Sequence, residues 1–236
     1  MAVSRETHTG LIGVEGRARL AYIWRMRLHA LLAAAVAVAI PAAPAVAHPH
    51  VFVDTKLRVV VSADGRFEGV EVHWTYDDFY SLLLMADLRL DDDGDGRLTD
   101  QELNRLDGFD LQWVQGFEGD SYALHGGAPV TLGKPQGRGV SVESGRITTV
   151  HFRPAAGDAD GLVLKAYDPT FYTAYALIGP VEVEGPCNAT IVPADLDAAY
   201  TMVEELLYAT PAAEVELNFP AVGEAFADTV TLSCSG

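Results

Sequence analysis

The sequence has little sulfur and little positive charge. It carries two cysteines, Cys187 and Cys234, and 16 Lys and Arg against 33 Asp and Glu, a formal net charge of −17 over 236 residues. So acidic a chain repels nucleic acid and anionic lipid, and it concentrates cations around itself. Missing too are internal repeats, a nucleophile elbow, a hydrolase triad signature, a phosphate-binding loop and a zinc-protease helix. The function classes that depend on them are thereby disfavoured. Apolar residues also avoid long runs, with one exception at the start of the chain.

That exception runs from Leu28 to Ala47, follows Arg17, Arg19, Arg25 and Arg27, and ends Ala45-Val46-Ala47. Basic residues, an apolar stretch and a small-x-small end make a cleavable signal peptide over residues 1–47, and Met26 is an alternative start within it. A membrane-spanning helix is the competing reading, but Pro41 and Pro44 interrupt the stretch and it is short for a bilayer. Cleavage removes five basic and two acidic residues, a net +3, so the mature chain from His48 carries −20. The expected location is the periplasm or outside the cell, with no membrane insertion after cleavage. In an oxidising compartment the two cysteines read as one disulfide between the final strand and an earlier loop. Two free thiols and a metal pair are the alternatives, and no further Cys or His lies nearby at ligand spacing.

The remaining 48–236 suits a single domain. Val51–Ser62 and Arg66–Tyr76 alternate apolar and polar residues about Asp64-Gly65, the pair favoured by a two-residue type I′ hairpin turn. With that turn, paired residues sum to 129. Val51, Val53, Leu57, Val59, Val61, Val70, Val72, Trp74 and Tyr76 then share the core face, while His50, Asp54, His73 and Asp77 share the polar one. Helical spacing follows over 78–90 (Phe79, Leu82, Leu83, Ala86, Leu90) and over 100–113. Strands are expected near 122–125, 140–142, 147–152, 162–167, 173–178, 181–183 and 228–234, with a last helix over 194–209 that buries Leu196, Tyr200, Val203 and Leu207. The expected fold class is α+β: a β-sandwich-like body, a helix–loop–helix insert over 78–113 and a C-terminal helix.

Between the two helical stretches of the insert, residues 91–102 read Asp-Asp-Asp-Gly-Asp-Gly-Arg-Leu-Thr-Asp-Gln-Glu. Calcium takes six to eight hard oxygen ligands, which the twelve-residue EF-hand loop supplies in one turn about the ion. Asp91, Asp93 and Asp95 stand at positions one, three and five, and Gly96 at six permits the reversal. Arg97 offers a backbone carbonyl at seven, Thr99 stands at nine and Glu102 closes the shell at twelve, while Leu98 points back to the core. Magnesium, which holds its waters in an octahedron, suits such a cage poorly. A single loop in a calcium-rich compartment reads as a structural site more than a sensor.

Cleavage after Ala47 would expose His48-Pro49-His50. An α-amine and the His48 imidazole can chelate a transition metal, and nitrogen ligands suit nickel, cobalt, copper or zinc. Pro49 has no amide proton, so the square-planar mode that requires a deprotonated second amide is excluded. His50, and from the polar face Asp54 and His73, are the candidate further ligands, against the alternative of ordinary surface residues.

His-Pro-His-Val-Phe-Val-Asp (48–54), the loop 91–102, Tyr167-Asp168-Pro169-Thr170-Phe171-Tyr172 and Phe226-Ala227-Asp228 with Cys234 together resemble a bacterial periplasmic family of unknown function. Its members are often described as the periplasmic component of an uncharacterised ABC-type transport system and are frequently encoded beside nickel/cobalt-class inner-membrane transporters. The resemblance implies an accessory role in transition-metal transport, with such a transporter as partner; the family has no established activity, so no catalytic residues carry over from it. The expected function is a calcium-binding, non-enzymatic module that holds or hands over a metal. A copper enzyme or copper carrier using the His48 brace is the alternative.

Overall fold

Alternation of apolar and polar residues builds the first hairpin. The computed structural model describes residues 49–94, 97–210 and 219–234, all within a unit spanning 47–236; a second unit, 1–46, lies outside them. Strands β1 (Val51–Val61) and β2 (Arg66–Tyr76) bury every residue assigned above to the core face. The pairing sums to 129 from Val53↔Tyr76 to Val60↔Gly69, but by a different route from a two-residue turn. Ser62 N donates to Arg66 O and Gly65 N to Ser62 O, so the connection is Ala63-Asp64-Gly65, and only Gly65 is left-handed, at φ 79°. This is a three-residue turn with a terminal αL glycine. The offset it introduces is removed by a β-bulge in β2 at Gly69, where a Cβ would collide with Arg153 O and the Phe152 ring.

Two sheets follow. The first has the order β5 (Gln136–Glu143), β6 (Arg146–Asp158), β2, β1, β8 (Thr173–Leu177), with β9 (Glu182–Glu184) also on β1. The second runs β10 (Cys187–Val192), β11 (Thr229–Cys234), β7 (Leu162–Ala166), β3 (Ser121–His125), β4 (Ala128–Val130). Both contribute to one buried cluster: Leu57, Val59 and Val72 from the first sheet meet Ala123, Leu164, Val230 and Leu232 from the second. The long strand β6 turns Thr149, His151 and Arg153 inward, all 3% exposed or less. Arg153 donates Nε to Gly133 O (2.7 Å), Nη1 to Glu118 O and Nη2 to Leu132 O (both 2.9 Å) beneath the Trp113 ring. Its guanidinium thus ties the carbonyls of two loops to β6.

Cys187 and Cys234 form a disulfide, paired directly across β10 and β11. The expected loop partner is therefore a strand. The fold is broadly α+β, with two sheets and three α-helices among the described residues, the last of them C-terminal. No described helix is long and apolar enough to cross a membrane.

The helices depart from expectation in extent and rotation. Helix α1 covers Asp78–Asp87 and α2 Asp100–Leu106, the second ending well before 113 because Asp107 is extended and Gly108 takes φ 72°. On α1 the stripe Phe79, Leu82 and Leu83 faces outward, 67%, 62% and 48% exposed, while Tyr80, Leu84 and Met85 pack inward beside the buried Ser81. Ser81 fixes that rotation: its Oγ accepts Ile147 N of β6 at 3.1 Å, a buried donor that needs a partner. Helix α3 (Leu196–Ala209) buries Ala199 and Val203, whereas the expected core residues Leu196 and Tyr200 are about half exposed.

Candidate functional site

The acidic segment between α1 and α2 is held at both ends by helix chemistry. At the close of α1, Arg89 is left-handed (φ 49°), its N–H donates to Ala86 O, and Leu90 N donates to Met85 O. These two bonds form a Schellman motif, and its customary apolar contact is supplied by the buried Leu90. Arg105 of α2 donates Nη1 to Arg89 O at 3.2 Å and Nη2 to Leu88 O, tying a cation to carbonyls that α1 leaves open. At the start of α2, Thr99 is the N-cap of a capping box: its Oγ1 accepts Glu102 N while Glu102 Oε2 accepts Thr99 N.

Glu102 reaches further back than its own helix. Its Oε1 accepts Asp91 N at 2.8 Å, joining loop position twelve to position one, and its Oε2 also accepts the Thr99 hydroxyl at 2.8 Å. The Thr99 N–H above all, then its hydroxyl and Asp91 N–H, holds the Glu102 carboxyl below the ordinary carboxylate range. Asp93, Thr99 and Glu102, positions three, nine and twelve, line one open cavity of about 370 Å³ with Arg89 and Arg105 at its wall. Asp91 is half-buried and left-handed at φ 55°, Arg97 is exposed, and Leu98 packs against the core from between the helices. Asp95 and Gly96 lie outside the described residues. Among those described, no three His, Cys, Asp or Glu side chains are grouped closely enough to hold a metal ion.

The described residues considered for a nitrogen site each have other partners. His48 lies outside the described residues. The backbone N–H of His50 donates to Tyr172 O at 2.8 Å, and the His50 ring sits 4.8 Å from that of Tyr172. Asp54 and His73 are diagonal across the hairpin, as the register requires, but Asp54 pairs with Arg146 at 2.8 Å. His73 Nε2 lies 3.0 Å from Glu71, whose two oxygens also receive Arg58. Asp77 caps α1 through Tyr80 N and fixes the start of β1 through Phe52 N.

Sequence reasoning missed two buried titratable groups. His151 is fully buried against Trp74 and Trp113, and neither ring nitrogen finds a hydrogen-bond partner among the described residues; burial first, then Arg153 and His73, pushes its pKa down to about 4. The signal was its phase: it lies at an inward position of an alternating strand, between Thr149 and Arg153. Asp120, 5% exposed and left-handed at φ 46°, accepts the Tyr175 hydroxyl at 2.9 Å, and burial pushes it up to about 7. No sequence pattern marks that position.

Two sheets about one core, a disulfide across the last strand pair and an acidic loop between capped helices define a disulfide-closed α+β protein with one candidate cation loop. The chain belongs to the family described as protein of unknown function (DUF1007), whose model matches residues 33–234. No curated protein matched the chain.

Proposed function

We propose that this protein is an exported, calcium-stabilised binding module, working in the periplasm as an accessory to transition-metal transport. Loop 91–102 takes one calcium ion through the side chains of Asp91, Asp93, Asp95, Thr99 and Glu102 and the carbonyl of Arg97. The supporting observation is the position of Glu102, whose carboxylate joins the two ends of the loop and shares a cavity with Asp93 and Thr99. Calcium would draw in the remaining carboxylates, exchange repulsion for coordination and fix α1 against α2. Export is supported by the disulfide and by the leader-like start of the chain. Calorimetric titration tests the loop: the folded protein is expected to bind one calcium, with Glu102→Gln weakening it at least about tenfold and magnesium failing to compete at equal concentration.

The transport role rests on the resemblance in sequence and on the His48-Pro49-His50 start. It predicts tight nickel, cobalt, copper or zinc binding to a chain beginning at His48, abolished when one residue precedes it. Equal binding by both forms would remove the amine-plus-imidazole site and leave the calcium reading intact.

A further inference from the structure

Beside the C-terminal helix lies a groove that the calcium reading does not use. It opens between the β1–β8 edge of the first sheet and α3, with a volume of about 340 Å³, within the range of small-ligand pockets. Its floor is aromatic: Phe171 and Phe226 are buried and stack at 3.8 Å and 11°, and Tyr200 meets Phe226 edge-on at 5.0 Å. Phe52, Leu196 and Tyr200 form the rim, each about half exposed. Such exposure of large apolar side chains around a concave surface is the mark of a binding site.

The charges at the groove are of one sign. Asp54 and Asp228 line it, and no Lys or Arg does among the described residues. Asp54 is neutralised by Arg146. Asp228 accepts Ala194 N at 3.0 Å and has no ion-pair partner among the described residues. We propose that this groove binds a small organic cation: an amine or quaternary ammonium group on a short apolar body. Phe52 and Tyr200 offer half-exposed aromatic rings to a cation, Asp228 supplies a carboxylate without an ion pair among the described residues, and the net charge of −17 draws cations toward the surface. An anion would meet Asp228 unfavourably, and a neutral hydrocarbon would leave that carboxylate desolvated without return.

The test compares choline with 3,3-dimethylbutan-1-ol, which has the same shape without the charge. Amide shifts of the oxidised protein are followed at constant ionic strength. Choline is expected to shift Phe52, Tyr200 and Phe226 and to bind at least about tenfold more tightly than the alcohol. Tyr200→Ala, which suits a half-exposed helix position, should weaken choline about three- to tenfold. Asp228→Asn retains the acceptor for Ala194 N, and should weaken choline while leaving the alcohol unchanged. Equal affinity for the two probes, shifts confined to other surfaces, no saturation by choline on the order of 100 mM, or full affinity in both variants would overturn the proposal.

Discussion

His151 and Asp120 have been moved by burial in opposite directions, and together they shape the response to pH. A histidine that titrates near 4 in the fold and near 6.5 unfolded binds fewer protons when folded. Stability from this group is complete above 6.5 and is lost, by about 3 kcal/mol, as pH falls through that window. Asp120 titrates near 7 in the fold and near 3.8 unfolded, so its folded form holds the extra proton. Its stability is complete below 3.8 and is lost, by about 4 kcal/mol, as pH rises toward 7. The windows overlap and the two terms largely cancel, so the combined contribution of these two groups should vary little between pH 4 and 7. His151→Phe should tilt the denaturant-stability profile downward with rising pH and Asp120→Asn upward. Parallel profiles for the two variants would refute the assignment of both groups.

Individual elements explain where the sequence could be read and where it could not. The first hairpin was legible to the residue because strict alternation decides which face is buried, even though a longer turn and a compensating bulge at Gly69 stood in place of the tight turn. Helix α1 was legible as a helix, yet its rotation was not. Three- and four-residue spacing pointed to Phe79, Leu82 and Leu83, while one buried hydrogen bond from Ile147 N to Ser81 decided the outcome. Ser81→Ala leaves that donor without a partner and should cost about 1–3 kcal/mol in chemical denaturation, a large effect for removing one oxygen. Strand β10 escaped notice because it lies at the end of its sheet, alternates buried and exposed only weakly, and is held by β11 and the disulfide instead of by its own apolar pattern. The loop 91–102 was picked out from consecutive residues, of which the structure brings Asp93, Thr99 and Glu102 to one cavity. The aromatic groove was not, since Phe52, Tyr200 and Phe226 are brought together only by the tertiary fold.

At the scale of the whole molecule, two devices limit the unfolded or loosened states. The disulfide closes a separation of 47 residues, for which chain entropy gives about 4 kcal/mol; Cys234→Ser should lower the melting temperature by many degrees under oxidising conditions and leave a reduced sample unchanged. The second, under the calcium proposal, is the bound ion. A ligand that binds only the folded chain stabilises it by about 1.4 kcal/mol at ten times its dissociation constant, and by about 4 kcal/mol, nearly three times as much, at a thousandfold excess. For a domain of this size such a gain raises the melting temperature by a few degrees. The most direct test is the thermal melt of the oxidised protein in millimolar calcium against the same protein in chelator. The calcium reading predicts a melt higher by several degrees in calcium, a shift absent with magnesium and abolished in Glu102→Gln. Superimposable curves with and without calcium would contradict it.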